Sequence, residues 1–134
     1  MKKIIPLTAP ILFLAFAFFL IGQALPKSLM DQWEDVDSEI KKGLPKTAIE
    51  KIDPLIKQAL KDGSHAVAIR AICQKINLVG AIEGNKAEEK IARLEEEITK
   101  APEALKPMMR AVLSNWYWQY FQQNRWRFAQ RTRT

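Results

Sequence analysis

The sequence predicts an all-α fold of about five amphipathic helices, arranged in antiparallel hairpins after an N-terminal signal segment. Apolar residues recur every three or four positions through most of the chain, which is the period of one helix face. Short turns with glycine, at Gly43, Gly63 and Gly84, separate segments of about fifteen residues. No sustained polar–apolar alternation and no Asn-Gly hairpin indicates a strand.

Two arrangements of these helices fit the pattern. Hairpins of this length resemble tetratricopeptide-type repeats stacked side by side, although the W-x-x-L-G-x-x-Y signature is absent. An ordinary short helical bundle is the alternative. Residues 25–134 supply enough apolar side chains for one modest core, so we expect a single helical domain.

The first helix is predicted to stop at Gly43, because glycine readily adopts the left-handed conformation that ends a helix. Its apolar face comprises Leu29 or Met30, Trp33, Val36 and Ile40.

The second helix is predicted to begin with a capping box formed by Thr47 and Glu50 and to end before Gly63. Pro54 lacks an amide proton, so we expect a kink just before it rather than two separate helices. The apolar stripe continues across this proline through Ile49, Ile52, Leu55, Ile56, Ala59 and Leu60.

Ser64 is predicted to cap the third helix, which ends between Gly80 and Gly84. Its few charges predict that it is the most buried helix. Asn85 and Glu88 repeat the pattern of a cap followed by an acid and predict the start of the fourth helix. The two apolar faces comprise Ala68, Ile69, Ile72, Ile76 and Val79, and then Ala87, Ile91, Leu94 and Ile98.

Pro102 is predicted to lie in the first turn of the fifth helix, with Pro107 delaying the regular part by one turn. The apolar residues of this helix cover about half of its circumference, which is more than one neighbouring helix can bury. They are Leu105, Met109, Val112, Leu113, Trp116, Tyr117, Tyr120 and Phe121. Trp118 and Trp126 fall outside even this arc, so we expect neighbours on both sides.

The aromatic and basic residues near the C-terminus are the predicted packing or partner surface. They are Trp116, Tyr117, Trp118, Tyr120, Phe121, Arg125, Trp126, Arg127 and Phe128. Aromatic side chains this dense favour burial, so the helical domain is expected to continue past Thr134. No acidic residue follows Lys106, and interleaved arginine and tryptophan could bind single-stranded nucleic acid. The export signal argues against that partner and favours a protein.

The N-terminus has the pattern of an export signal over residues 1–24. Lys2 and Lys3 precede an uncharged stretch, and small residues precede Leu25, so cleavage after residue 24 is expected. An uncleaved anchor over residues 4–25 is the alternative, and only then would the chain contact a membrane. Both interpretations predict an exported protein, whether periplasmic, at the cell surface or secreted.

No residue pattern indicates catalysis, a cofactor or a metal. Cys73 is the single cysteine and lies among isoleucines on an apolar face, which is typical of a buried thiol. His65 is the single histidine. The acidic clusters at 34–37 and 95–97 lie on polar helix faces without the apolar pocket that tunes a catalytic carboxylate. We therefore expect neither an enzyme nor a cofactor.

Three stretches together resemble a known family. They are K-G-L-P-K-T-A-I-E-K-I, then N-K-A-E-E-K-I-A-R-L-E-E-E-I, and the most specific, Y-W-Q-Y-F-Q-Q-N-R-W-R-F from Tyr117 to Phe128. The chain from Asp31 to Thr134 resembles the N-terminal helical region of large bacterial alpha-2-macroglobulin-like proteins, of the type found in Bacteroidetes and Planctomycetes.

The resemblance implies membership rather than activity. Proteins of this family are long exported chains whose β-sandwich domains follow the helical region and enclose attacking proteases. Some carry a thioester in a Cys-x-Glu-Gln motif, whereas Cys73 lies in C-Q-K-I, so no functional residue carries over. The chain is then a non-catalytic leader whose partners are the remaining domains of the same long protein or another envelope protein. A freestanding helical-repeat scaffold at the cell envelope and a membrane-held accessory protein are the alternatives.

Overall fold

Five α-helices make up most of the part of the chain that the computed structural model describes, residues 27–131. They are α1 (Leu29–Lys41), α2 (Pro45–Lys61), α3 (His65–Ile82), α4 (Ala87–Lys100) and α5 (Lys106–Arg131). Residues 27–131 contain no strand, and the predicted all-α class is confirmed. The predicted signal segment 1–24 and the alternative anchor at 4–25 lie outside these residues, as do residues 132–134.

The turns after α1 and α2 share one geometry. Gly43 and Gly63 have φ values of 72° and 68°, in the left-handed region that glycine adopts without strain. The amide of Leu44 donates to the carbonyl of Glu39 at 3.0 Å, which satisfies a carbonyl that the helix end leaves unpaired. The corresponding bond after α2 joins the amide of Ser64 to a carbonyl in the last turn, that of Ala59, at 2.8 Å. These short, closed turns make consecutive helices antiparallel neighbours.

Two helix starts predicted from capping patterns were wrong. Helix α2 begins at Pro45, two residues before Thr47, because the fixed φ of proline suits the first helical position. Thr47 therefore lies inside the helix and does not cap it. Asn85 has a φ of 59°, whereas a capping residue needs an extended backbone, so Lys86 takes the cap position of α4.

Of the other starts, that of α3 agrees in place but not in chemistry, and α5 begins later than Pro102 predicted. Ser64 occupies the cap position of α3 as predicted, although its side chain makes no capping hydrogen bond. Pro102 precedes α5 and lies outside its first turn, contrary to the prediction. Pro107 lies in that first turn and the regular helix starts late, as expected. Ser28 and Asp31 form a capping box on α1 that the sequence analysis missed.

The core consists of two clusters of buried side chains that share α3. The first joins α1, α2 and one side of α3 and contains Trp33, Val36, Ala48, Ile52, Leu55, Ala71 and Leu78. The second joins α2 through α5 and contains Ala59, Ala68, Ile69, Ile72, Ile76, Leu94, Ile98, Leu105 and Met109. Helix α3 contributes to both clusters and carries the most buried residues among α1 to α4, as its low charge predicted.

Each helix packs chiefly on its neighbours in the sequence, α1 on α2, α2 on α3, α3 on α4 and α4 on α5. At the α3–α4 crossing the Lys90 side chain covers Gly80 so closely that an added Cβ would lie 2.6 Å from the lysine Cε. Among residues 27–131, consecutive helices thus pack as antiparallel hairpins, as predicted. The choice between a tetratricopeptide-like stack and a short bundle stays a prediction.

Glu39 is the buried charged residue of α1, and we expect its contribution to stability to depend on pH. Its side chain is 10% exposed and accepts hydrogen bonds from Lys51 at 2.6 Å and Lys42 at 3.2 Å. The Lys51 bond, aided by Lys42, lowers the Glu39 pKa below its ordinary value of 4.5. Because its pKa is lower in the folded state than in the unfolded chain, the Glu39 carboxylate stabilises the fold at pH values above the unfolded-state pKa. This stabilisation is lost as the pH falls through the folded-state pKa.

We expect Glu39→Gln to destabilise the protein at neutral pH and to have a smaller effect in acid, below the lowered pKa of the folded-state carboxyl group. Urea unfolding of both proteins at the two pH values measures this. An equal loss of unfolding free energy at both would contradict it, because a packing defect does not titrate.

Candidate functional site

Helix α5 is much longer than the helix it packs on. Its 26 residues correspond to about 39 Å, against about 21 Å for the 14 residues of α4. The Tyr120 hydroxyl donates a hydrogen bond at 2.8 Å to Glu88, which lies in the first turn of α4. The N-terminal end of α4 therefore lies beside Tyr120 of α5. Residues from Phe121 to Arg131 continue past it for about 16 Å.

One side of α5 faces α4. Trp116 packs against the second core cluster, and Tyr117 donates its hydroxyl hydrogen bond to Glu95 at 2.6 Å. This bond to a carboxylate raises the Tyr117 pKa above its ordinary value. The Glu88 pKa is lowered by its own backbone amide, by the Tyr120 hydroxyl and by the charge of Arg127. Four of the nine predicted surface residues, Trp116, Tyr117, Tyr120 and Arg127, thus interact with α4 or with the core that it helps to form.

The other five predicted residues form what we call the outer aromatic face. It comprises Trp118, Phe121, Arg125, Trp126 and Phe128. The tryptophans are 59% and 60% exposed, which agrees with their predicted position outside the apolar arc. Trp118 stacks on Phe121 with ring centroids 5.9 Å apart, and Phe121 stacks on Phe128 at 5.8 Å. Large aromatic side chains that contact each other yet remain in solvent are typical of an interaction surface.

The charge on this face is positive. Arg125 forms no hydrogen bond or ion pair with the described residues, and it lines a shallow depression with Phe121, Trp126 and Phe128. The described part of α5 contains no acidic residue. The face therefore has both apolar area to bury and a cation whose counter-charge must come from elsewhere.

A second concave feature lies between α2, α3 and α4 and was missed by the sequence analysis. This cleft has a volume of about 460 Å³ and an apolar floor that includes Leu60, Ile72 and Val79. Its rim is charged, with Lys75 paired to Asp53 at 2.6 Å across α2 and α3 and Lys100 paired to Glu96 at 2.6 Å on α4. The floor residues belong to the apolar stripes that the sequence showed, but only their stacking creates the cleft.

The remaining residues singled out in the sequence do not converge. Cys73 is partly buried against the second core cluster, and burial raises its thiol pKa above the ordinary 9.0. This favours the unreactive protonated form. Among residues 27–131, no group of three histidine, cysteine or carboxylate side chains could hold a metal ion. Within the same residues, no helix is long and apolar enough to cross a bilayer.

No protein-family model, curated protein or solved structure matches the chain. The alpha-2-macroglobulin resemblance thus stays a prediction from the residues quoted above.

We expect Trp126→Ser combined with Phe128→Ser to reduce binding of a hydrophobic fluorescent dye and to lower the free energy of unfolding by about 1.5 kcal/mol at most, because Phe128 loses only its ring contacts with Phe121 and Tyr120. Both side chains are exposed and lie past the end of α4. Dye titration and urea unfolding measure the two quantities. A loss of several kcal/mol would mean that these rings belong to the core.

Proposed function

We propose that the chain is a non-catalytic helical module of an exported protein and that it docks to other protein domains through the outer aromatic face of α5. The observation that carries this proposal is the exposure of two tryptophans and two phenylalanines on α5, part of which extends past the end of α4: Trp118, Phe121, Trp126 and Phe128. Burial of aromatic rings dominates the energetics of many protein interfaces, so this face has a large capacity for binding.

The resemblance to alpha-2-macroglobulin-like proteins supports a specific setting. In that setting the module is the N-terminal part of a long protease-inhibitor-type chain, located in the periplasm, at the cell surface or outside the cell, and it docks to the domains that follow. Export rests on the pattern of residues 1–24.

The size of the native product tests this setting. An antibody against residues 27–131 should detect, in the envelope or secreted fraction of the source cells, a protein far larger than 15.4 kDa. Mass spectrometry of its N-terminus should find Leu25 as the first residue. A product of 15.4 kDa or less would reject the setting, and an intact N-terminus in the membrane fraction would favour the anchor.

A freestanding scaffold that binds protein segments is the second candidate function, and the cleft favours it. Stacked helical hairpins commonly bind partners on a concave surface, and this cleft combines an apolar floor with charges of both signs. Selection of binders from a random peptide library should then yield sequences whose binding is lost in Leu60→Lys or Val79→Lys, two partly exposed positions of the cleft. Binders that are insensitive to both changes would count against the cleft.

The proposed module has no chemistry of its own. We expect a panel of proteases to stay fully active in its presence and a small amine to form no adduct, since the Cys73 thiol is protonated and partly buried. A covalent amine adduct on Cys73 in intact-mass analysis would contradict this.

A further inference from the structure

The outer aromatic face has the spacing of a helix–helix seam. We call the seam the four residues that follow one another at intervals of three, four and three positions: Trp118, Phe121, Arg125 and Phe128. This is the alternation by which one helix keeps a row of side chains toward a second helix. The stacking of Trp118 on Phe121 and of Phe121 on Phe128 makes the row continuous around Arg125.

The side of α5 that faces α4 is already occupied, and it borders the seam at Tyr120, whose ring meets that of Phe128 edge-on with centroids 6.4 Å apart. Trp116 packs into the core and Tyr120 bonds to α4, and the residues of the seam do not contribute to either core cluster. Among residues 27–131, α2, α3 and α4 each pack chiefly on two neighbouring helices, whereas α5 packs chiefly on α4. A further helix on the seam would continue the same packing rule.

The charges on this face indicate which partner fits the seam. Arg125 sits in the middle of the seam without an ion pair among the described residues, and Arg110 precedes it on the same flank of α5. A second copy paired along α5 would place arginine against arginine, because the described part of α5 has no acidic residue and Glu95 at the edge of the face already accepts a hydrogen bond from Tyr117. An anionic lipid surface would meet the carboxylate of Glu95, which lies at the edge of the face beside Tyr117. A helix with acidic residues next to its apolar row meets neither obstacle.

We propose that the seam binds an amphipathic α-helix of another domain or protein, whose apolar row packs on Trp118, Phe121 and Phe128 and whose acidic residue pairs with Arg125. The inference rests on the docking role proposed above and not on the family resemblance.

A pair of synthetic helical peptides tests the proposal on the purified chain. The first peptide repeats heptads with leucine at the a and d positions and glutamate at e and g, and the second replaces each glutamate by lysine. We expect the glutamate peptide to bind at least about tenfold more tightly, as measured by calorimetry at low salt. Equal affinity for the two peptides, or binding of neither, would overturn the proposal.

Variants locate the site. Phe121→Ser should weaken binding of the glutamate peptide at least about tenfold. Met108→Ser is the matched control, because Met108 is also an exposed apolar residue of α5, 50% exposed, but lies on a different side of the helix. Arg125→Glu should reverse the preference toward the lysine peptide. Circular dichroism of each variant checks folding, and the Arg125 reversal keeps the test decisive if Phe121→Ser unfolds.

Two further measurements separate the other occupants. Sedimentation of the chain alone should show a monomer at low salt, and vesicles rich in phosphatidylglycerol should not bind it through this face. A dimer disrupted by Phe121→Ser, or vesicle binding lost in that variant, would replace the helix partner by a second copy or a membrane. These outcomes do not depend on the size of the native product, so the seam and the family setting can fail separately.

Discussion

Replacing Trp33 by alanine is expected to lower the free energy of unfolding by about 3 to 5 kcal/mol, the usual cost of removing a large aromatic side chain from a core. Trp33 is the largest side chain of the first core cluster and is only 7% exposed. It packs with Val36 of α1 and Ile52 of α2, and the Arg70 guanidinium of α3 lies 4.1 Å above its ring. Its removal therefore weakens the contacts of α1 with both α2 and α3.

The Trp33→Phe variant distinguishes ring packing from the polar indole nitrogen. Trp33 Nε1 is buried and has no hydrogen-bond partner among the described residues, so phenylalanine removes a costly unpaired donor while keeping an aromatic ring. We expect Trp33→Phe to be clearly less destabilising than Trp33→Ala in urea unfolding. Equal losses for the two variants would show that the indole nitrogen does form a bond that the fold needs.

Replacing Leu94 by alanine is expected to cost about 2 to 5 kcal/mol. Leu94 is fully buried in the second core cluster, between Ile72 and Ile76 of α3 and Met109 of α5. These neighbours belong to the two helices on either side of α4 in the sequence, so they cannot all close on the space that the side chain leaves. The change should also loosen α5, because α4 is the helix on which α5 chiefly packs.

Met30→Ala is the matched control for Leu94→Ala. Met30 is 71% exposed on α1 and belongs to neither cluster, so its loss should change the unfolding free energy by less than about 0.5 kcal/mol. Thermal and urea unfolding of both variants provide the comparison. A cost for Leu94→Ala similar to that of Met30→Ala would mean that α4 is not held by this cluster.

The sequence was sufficient to predict that the five helices exist, but it predicted their first residues less well. The spacing of apolar residues every three or four positions predicted all five helices, because it reflects which face each helix buries. Helix starts depend on a few backbone angles: the left-handed conformation of Asn85 and the position of Pro45 decided two starts against the capping patterns. Side-chain caps are common in sequences and only some of them form.

The candidate surface was predictable in composition but not in orientation. The excess of aromatic residues on α5 was evident, and the exposure of Trp118 and Trp126 followed from their angle around the helix. Tyr117 donates a hydrogen bond to Glu95 and Tyr120 donates one to Glu88. These bonds depend on the length of α4 and on its register against α5, and the apolar pattern of one helix predicts neither. The cleft was missed for the same reason, since it exists only between three stacked helices.

The packing of each helix on its sequence neighbours also has a kinetic consequence. Nearly all tertiary contacts close over one turn and two helices, which corresponds to a low contact order and to folding in the range of about microseconds to milliseconds. The α1–α2 hairpin can bury Val36 against Ile52 before α4 exists. The chain can therefore gain structure hairpin by hairpin while it is being synthesised, and α5, with the fewest buried side chains per turn, is the element that joins last.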